Sequence, residues 1–246
     1  DPRTPLAVLA TIVENFRPDA IVHPADMADP LLDGYDVVAS ELGLTISAPA
    51  EYDVPAPHPD LAVVIAGGDG TDHGRFVRLS RRNLASQAGA MVASFELNSA
   101  DRVIAALSLA ECHWLAIVNA HFQAGATVLA SDRSLAANGF WAFAREQSAS
   151  CIAGSAYGVE LLERMRIDPA RIPALRMMML STGNLGADRL RRLDLNIRNA
   201  GGRLVTFFGG AETTGCMAIV PATMTPAKLG AVGVALEGGT LTIDRA

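Results

Sequence analysis

The sequence has little that would bind nucleic acid or insert into a membrane. Its 246 residues include 20 basic and 26 acidic side chains, for a formal charge of −6, and no basic run. Electrostatic binding to nucleic acid is therefore disfavoured. No segment approaches the roughly 20 apolar residues that span a bilayer, and the N-terminus lacks the regions of a signal peptide. We predict a cytoplasmic protein with no nucleic-acid partner and no membrane span.

Cysteine and lysine are also scarce. The three cysteines, Cys112, Cys151 and Cys216, are widely spaced and form no CxxC pair or zinc-type grouping with histidine, so we expect buried structural thiols. Lys228 is the single lysine among the 20 basic residues, which limits chemistry that needs a lysine amine. Because the first residue is Asp and not Met, we expect a piece of a longer chain.

What the sequence does contain is an alternation of short apolar strands and amphipathic helices. Half of the residues are apolar and 19% are charged, which favours one large folded domain or two small ones. Strands are predicted at residues 20–22, 61–66, 76–79, 102–107, 127–129, 151–154, 175–180 and 204–208. Helices are predicted at residues 4–17, 80–95, 113–124, 135–147, 157–165 and 187–199. This order predicts an α/β fold with largely parallel sheets covered by helices, whereas residues 24–59 give no clear pattern.

Three of the predicted strands end in small, polar, glycine-rich loops. The loops are GGDGTDHGR at residues 67–75, STGN at 181–184 and GGAETTG at 209–215. In open α/β sheets, ligands bind outside the carboxyl ends of the strands. Glycine also allows a backbone to approach a phosphate or a flat ring closely. We therefore predict the functional site at these three loops.

Six segments occur in an order that is found in one enzyme family. FFGGAETTG is similar to the motif YGxTE, and IAGGDGTDHGRFVRLSRRNL to the phosphate-loop stretch TSGSTGxPKGVxxSHxN. DPRTP resembles NPRYP, and QAGATVL resembles LxAGATxVL. MLSTGNL takes the place of SGGAPL, and KLGAVGVALEGGTLTI that of KPGSVGRPLPGxEVxI. Through the order of these landmarks, nearly the whole chain resembles the adenylate-forming enzymes: acyl- and aryl-CoA synthetases, luciferases and peptide-synthetase adenylation domains.

The resemblance implies a reaction and its cofactors. A carboxylic acid attacks the α-phosphate of ATP held with Mg²⁺, pyrophosphate leaves, and a thiol of CoA or of a carrier protein takes the acyl group. Charge neutralisation and positioning do most of the work in such a reaction. By the same resemblance, residues 1–246 form the core of such an enzyme, without the family's N-terminal part and its C-terminal domain that carries a lysine.

The resemblance also assigns site residues, motif by motif. Arg75 stands where the phosphate loop has its lysine and Glu212 is the magnesium-binding acid, so both are expected to be catalytic. The residues expected to contact the nucleotide are Gly70, Thr71, Gly183, Asn184, Phe208, Gly209 and Gly210. The acyl pocket is expected at Trp114, Gly154 and Ser155.

The sequence departs from the family at several of these positions. Asp69 and Asp72 stand at glycine positions of the phosphate loop, where a carboxylate repels a triphosphate unless a cation or an arginine intervenes. Ala211 replaces the threonine of YGxTE, and Leu109-Ala110 stand where the family has an FH pair. We therefore expect the isolated chain to be impaired or inactive.

Other interpretations stay open at this stage. The chain could be a catalytically inactive descendant of the family, a pseudoenzyme kept as a binding module or a homodimerisation module in a biosynthetic assembly. A nucleotide-binding domain of another α/β family is disfavoured because neither GxGxxG nor GxxxxGK[ST] occurs. Glu212, Arg75 and Thr71 could be ordinary loop residues. Adjacent Cys112 and His113 point about 100° apart on a helix, so we predict no thiol nucleophile there.

Overall fold

The chain divides into two units of unequal size. The computed structural model describes residues 6–26, 34–49, 57–66, 76–105, 111–131, 133–181, 183 and 185–244. The smaller unit lies within Asp1–Leu61 and Ala66–Phe76, and the larger unit within Ala62–Ile65 and Val77–Ala246. The strands are β1 (Ile21–Pro24), β2 (Tyr35–Glu41), β3 (Leu44–Pro49), β4 (Leu61–Ala66), β5 (Phe76–Ser80), β6 (Arg102–Ala105), β7 (Thr127–Leu129), β8 (Cys151–Ser155), β9 (Met177–Ser181), β10 (Arg203–Phe208), β11 (Ala218–Val220) and β12 (Val234–Ala235). The helices are α1 (Leu6–Phe16), α2 (Arg81–Phe95), α3 (Cys112–Gln123), α4 (Asn138–Glu146), α5 (Ala156–Met165) and α6 (Ala187–Asn199).

The smaller unit combines α1 with a three-stranded antiparallel sheet of order β1-β3-β2. Two polar side chains buried in this unit form a hydrogen bond with each other: His23 Nε2 lies 2.9 Å from Ser47 Oγ. The ring of Phe16 packs edge-on against Phe76, with 4.5 Å between the ring centroids. The sequence predicted α1 and a strand at β1, but β2 and β3 lie in the stretch that gave no clear pattern.

A seven-stranded sheet of order β12-β11-β10-β9-β8-β6-β7 forms the centre of the larger unit. The five strands from β10 to β7 are parallel, and β11 and β12 add an antiparallel edge. This largely parallel sheet with covering helices confirms the predicted α/β fold class. None of the helices among the described residues is long and apolar enough to cross a membrane.

Helices bury both faces of this sheet. Met177 and Met179 of β9 belong to the core beneath α2 and α3, whereas Met178 and Leu180 belong to the core beneath α4, α5 and α6. Burying a side chain of this size contributes about 1.5–3 kcal/mol. β9 is therefore a central strand that is apolar on both faces, as parallel sheets require.

Serine residues begin two of the helices directly after strands. Ser80 Oγ accepts from the Asn83 amide at 3.1 Å, and Asn83 Oδ1 accepts from the Ser80 amide at 2.9 Å, which forms a capping box at the start of α2. Ser155 Oγ accepts from the Gly158 amide at 3.4 Å at the start of α5. Each cap turns the chain sharply from the end of a strand into a covering helix.

A buried carboxylate organises the amino end of the parallel strands. Asp101 accepts hydrogen bonds from Arg176 Nε at 2.9 Å and Nη2 at 2.6 Å, and from the Asn98 amide at 2.9 Å. Ser150 Oγ and Cys151 Sγ also donate to it, at 3.2 and 3.5 Å. Burial alone would raise the pKa of Asp101, but these donors outweigh it and hold the pKa below its usual range. We call these five residues the Asp101 cluster.

Most predicted boundaries lie within two residues of those in the structure, and one that differs by more has a local explanation. The helix predicted at 135–147 begins at Asn138, because Leu135 precedes it in a turn whose carbonyl accepts from Trp141 Nε1 at 2.8 Å. The strand predicted at 102–107 is described only as far as Ala105, and residues 106–110 lie outside the described part.

Candidate functional site

The carboxyl ends of three parallel strands place predicted site residues side by side. Ser155 of β8 pairs with Ser181 of β9, and Ser181 pairs with Phe207 of β10. Gly183 follows directly after β9, and Phe208 is the last residue of β10. The topology thus gathers the predicted acyl-pocket serine and two predicted nucleotide residues along one end of the sheet.

A tight turn follows β10, and we call GGAETTG the 209–215 turn. The Gly210 carbonyl accepts from the amides of Thr213 at 3.1 Å and Gly215 at 2.8 Å. Thr213 Oγ1 also lies between the Gly210 amide and carbonyl, at 3.0 and 3.1 Å. Thr214 adopts a left-handed conformation with φ of 56°. These bonds close the turn upon itself and leave Glu212 exposed at its tip.

Two positions of the turn require glycine for a local steric reason. A Cβ on Gly209 would lie 2.6 Å from Cys216 Cα, and a Cβ on Gly215 would lie 2.5 Å from the Cys112 carbonyl oxygen. Gly215 also has a φ of 93°, where a larger residue is strained. Close backbone packing therefore requires glycine at both positions, against Cys216 for Gly209 and against the start of α3 for Gly215.

Glu212 offers a carboxylate at the carboxyl end of the sheet. It lies in a 3-10 turn and is exposed, and its Oε2 lies 3.1 Å from the position that a Cβ on Gly210 would occupy. No cluster of three or more metal-ligating side chains occurs among the described residues. Mg²⁺ held by ATP phosphates needs only one or two protein carboxylates, so the donor set fits a metal that arrives with the nucleotide.

Phe208 presents an aromatic surface beside this carboxylate. Its side chain is 45% exposed, although its neighbour Phe207 is buried in the core beneath α3. An exposed aromatic ring at a strand end offers a face on which a flat ligand can stack. The residue is thus available for the ring contact predicted at this position.

The strands that flank residues 67–75 pack against the same turn. β4 and β5 pair in a two-stranded sheet. Ile65 of β4 and Leu79 of β5 are buried against Ala211, and Cys112 and Leu115 of α3 complete this small apolar cluster. Ala211, which stands where the family has threonine, is thus a packing residue between the 209–215 turn and the β4–β5 sheet.

The predicted acyl-pocket residues do not share one face of the sheet: Gly154 faces Leu180 and the core beneath α4–α6, whereas Trp114 packs on the core beneath α2 and α3. Gly154 is buried near the end of β8, with only the Leu180 side chain within 4 Å of a hypothetical Cβ. Ser155 is half-buried and caps α5, and Trp114 is half-buried in the first turn of α3. The structure brings Gly154 and Ser155 next to Ser181, whereas Trp114 belongs to the neighbouring helix.

Sequence analysis considered His113 only beside Cys112 and gave it no role at this end of the sheet. The Nε2 atom of His113 in α3 lies 3.2 Å from the Gly209 carbonyl oxygen and 3.4 Å from Ser181 Oγ. Its ring packs edge-on against Phe207, 5.6 Å between centroids. The available signal was a lone histidine in the first turn of the helix after β6, a position that topology brings to the strand ends.

The thiol next to His113 is unsuited to nucleophilic chemistry. Burial, and then the carboxylates of Glu111 and Glu212, raise the pKa of Cys112 above its ordinary value. Burial raises the pKa of Cys151 and of Cys216 to about 12. All three cysteines are free thiols, and Cys151 and Cys216 are buried, as the sequence predicted.

Several predicted site residues lie outside the described residues. They are Gly70, Thr71, Arg75 and Asn184, together with Asp69 and Asp72 of the same loop. Their roles remain predictions from the sequence.

Comparison with solved structures finds the same fold in enzymes that form acyl-adenylates or CoA thioesters. A malonyl-CoA ligase with methylmalonyl-CoA and AMP bound is 22% identical, with a TM-score of 0.74 over 97% of this chain and 51% of that one. MenE of E. coli, with a bound analogue of OSB-AMS, is 15% identical, with a TM-score of 0.70 over 100% and 49%. The anthranilate CoA ligase AuaEII, in complex with anthranoyl-AMP, is 16% identical, with a TM-score of 0.61 over 78% and 38%. The chain thus spans about half the length of these proteins, or less.

A sequence profile extends this likeness to a family. The profile of the AMP-binding enzymes matches residues 4–244, which is nearly the whole chain. A comparison with curated proteins found no match. The chain belongs to the AMP-binding enzyme family, which confirms the resemblance predicted from its motifs.

Proposed function

We propose that this member of the AMP-binding enzyme family is the core domain of an ATP-dependent enzyme that activates a carboxylic acid as its acyl-adenylate. The acyl group then passes to a thiol of CoA or of a carrier protein. The observation that carries the proposal is that Gly183, Phe208 and Glu212 follow or end the adjacent parallel strands β9 and β10, at their carboxyl ends. The β4–β5 sheet packs against Ala211 in the same turn as Glu212.

The nucleotide would lie against the 209–215 turn. The exposed ring of Phe208 offers a face for the base, and the half-buried Gly209 and Gly210 carry no side chain that would block it. Gly183 has a φ of 46° and stands at the neighbouring strand end. An adenine between these two strand ends would direct its phosphates towards Glu212.

Glu212 would hold magnesium together with the phosphates. Bound magnesium would supply the positive charge that offsets the phosphates during attack by the carboxylate. Glu212 suits this role because it is exposed and its carboxylate folds back over Gly210, towards the centre of the turn. By the family resemblance, Arg75 is the residue that we propose as a cation for the phosphates.

The acid would bind at the carboxyl end of β8, where the resemblance places Gly154 and Ser155 in the acyl pocket; Trp114 would have to reach this end from the α3 side of the sheet. Gly154 leaves space at the end of β8, since a Cβ there would meet only Leu180 at 3.9 Å. Ser155 Oγ is engaged as the cap of α5 and therefore holds the helix in place next to the pocket.

Calorimetric titration with Mg·ATP, and with AMP in the absence of magnesium, tests the proposal. We expect micromolar binding of both. Glu212→Gln should weaken Mg·ATP binding at least about tenfold, the loss typical of a charged ligand contact, and should leave AMP binding within about threefold. Glu237→Gln is the matched control, because Glu237 is also an exposed loop acid of the larger unit.

Two results would contradict the proposal. Absence of nucleotide binding by the folded chain would favour the pseudoenzyme interpretation, in which the fold serves as a binding or dimerisation module. Equal Mg·ATP affinity of the Glu212→Gln variant and the parent would exclude the role assigned to Glu212. If both nucleotides bind as expected, pyrophosphate exchange with a panel of carboxylic acids would identify the acyl substrate.

A further inference from the structure

His113 connects three elements at the carboxyl end of the sheet. It belongs to the first turn of α3, and its Nε2 atom reaches the Gly209 carbonyl oxygen after β10 and Ser181 Oγ at the end of β9. Its side chain is half-buried. No motif match and no role assigned above involves this residue.

The contact geometry fixes the protonation of Nε2. A carbonyl oxygen only accepts hydrogen bonds, so Nε2 must carry the hydrogen that it donates to Gly209. With Nε2 protonated, Ser181 Oγ can act there only as an additional acceptor of the same N–H group. One imidazole N–H is therefore shared between the ends of β9 and β10.

The backbone of α3 supports the same connection. Gly215, at the far end of the 209–215 turn, lies against the Cys112 carbonyl and Ala116 so closely that a Cβ would overlap with them. The first turn of α3 thus contacts the 209–215 turn at both of its ends: His113 at Gly209 and Cys112 at Gly215.

We propose that His113 is a positioning residue, whose imidazole N–H holds the Gly209 carbonyl and thereby fixes the 209–215 turn, with Glu212 on it, against the end of β9. The consequence for nucleotide binding rests on the proposed function. The effect on the turn itself does not.

Hydrogen exchange of the turn tests the proposal without any ligand. The amides of Thr213, Thr214 and Gly215 close the turn through bonds to Gly210 and Ala211, so they report its opening. His113→Phe keeps a ring against Phe207 but removes the N–H donor. We expect these amides to exchange about five to ten times faster in this variant, the loss of one neutral hydrogen bond.

Two further variants separate positioning from packing. His113→Gln restores an N–H donor on a shorter planar group and should return exchange to within about threefold of the parent. His58→Phe is the control, because His58 is an exposed histidine of the smaller unit and should leave the 209–215 turn unchanged. Unchanged exchange in His113→Phe would overturn the proposal. So would faster exchange spread equally over Cys151–Ser155, which would indicate a general packing role.

Nucleotide affinity provides the second readout. If the parent binds AMP, His113→Phe should raise the dissociation constant about five- to tenfold while its melting temperature stays close to that of the parent. Equal AMP affinity of the two proteins would overturn the inference about His113 and leave the proposed function intact. If the parent binds no nucleotide, the proposed function fails, and hydrogen exchange alone decides the role of His113.

Discussion

The two ends of the parallel strands are built on opposite principles. At the amino end, the Asp101 cluster buries a carboxylate among five donor groups, and Asp101 itself is only 2% exposed. At the carboxyl end, Glu212 and Phe208 are exposed on a glycine-rich turn. The Asp101 carboxylate is held by donors of the protein, whereas Glu212 and the Phe208 ring are exposed. We propose that the first end serves stability and the second serves binding.

Removing the buried carboxylate should produce the largest loss of stability. Asp101→Asn leaves the Arg176 guanidinium, which is about one-third exposed, without its counter-charge. We expect the free energy of unfolding to fall by about 3 kcal/mol, the lower end for a broken buried pair. Denaturant unfolding measures the loss, and AMP affinity of the folded variant should stay unchanged. An Asp101→Asn variant that lost AMP binding but kept its stability would contradict the assignment of stability to the amino end and binding to the carboxyl end.

The same pair predicts how stability depends on pH. Because the pKa of Asp101 is lowered in the folded state, its contribution is complete above the unfolded value of about 4 and is lost as the pH falls through the folded value. The parent should therefore lose stability more steeply than Asp101→Asn between about pH 5 and pH 3. Thermal unfolding at a series of pH values tests this, and parallel curves would exclude Asp101 as the source.

Substitution of two adjacent glycines should separate the effect on stability from the effect on nucleotide binding at the carboxyl end. A Cβ on Gly209 would overlap the Cys216 backbone, so Gly209→Ala should cost about 2 kcal/mol and disrupt the 209–215 turn. A Cβ on Gly210 would meet the flexible end of Glu212 at 3.1 Å, which can move aside. Gly210→Ala should therefore keep stability within about 0.5 kcal/mol but weaken Mg·ATP binding. Equal melting temperatures for the two variants would contradict this account.

The rate of thiol labelling should show the smallest of these effects. With a pKa of about 12, Cys151 and Cys216 have a thiolate fraction of about one in 10,000 at pH 8, and both are buried. Cys112 is half-buried, so it should label first, although more slowly than a free thiol. Mass spectrometry after labelling of the native protein identifies the modified residue. Rapid labelling of Cys151 would contradict the closed structure of the Asp101 cluster.

Sequence reasoning succeeded where a signal is local and periodic. The helix at residues 187–199 and the strand at 127–129 were predicted with the bounds that the structure shows, because apolar spacing determines both. Motif order also identified the family. β2 and β3 were not predicted, because β2 is exposed along nearly its whole length and β3 buries Thr45 and Ser47 while it exposes its large apolar residues.

Contacts between distant residues escaped the sequence. The Asp101 cluster joins residues up to 75 positions apart, and His113 meets Gly209 across 96 positions. No spacing rule links such residues, because the order of strands in the sheet brings them together. For the same reason, the sequence did not show that Gly209 and Gly215 pack closely against the backbone of Cys216 and Cys112, while the nucleotide contact of Gly209 stays a prediction.

Hydrogen exchange with and without saturating AMP tests the central claim most directly. The account predicts slower exchange on AMP binding in peptides that cover residues 207–216 and 181–185, and no change in those that cover 96–103 and 174–177 around the Asp101 cluster. Protection that appears at the Asp101 cluster, or that is absent from the 209–215 turn although AMP is bound, would contradict the assignment of the carboxyl end as the nucleotide site.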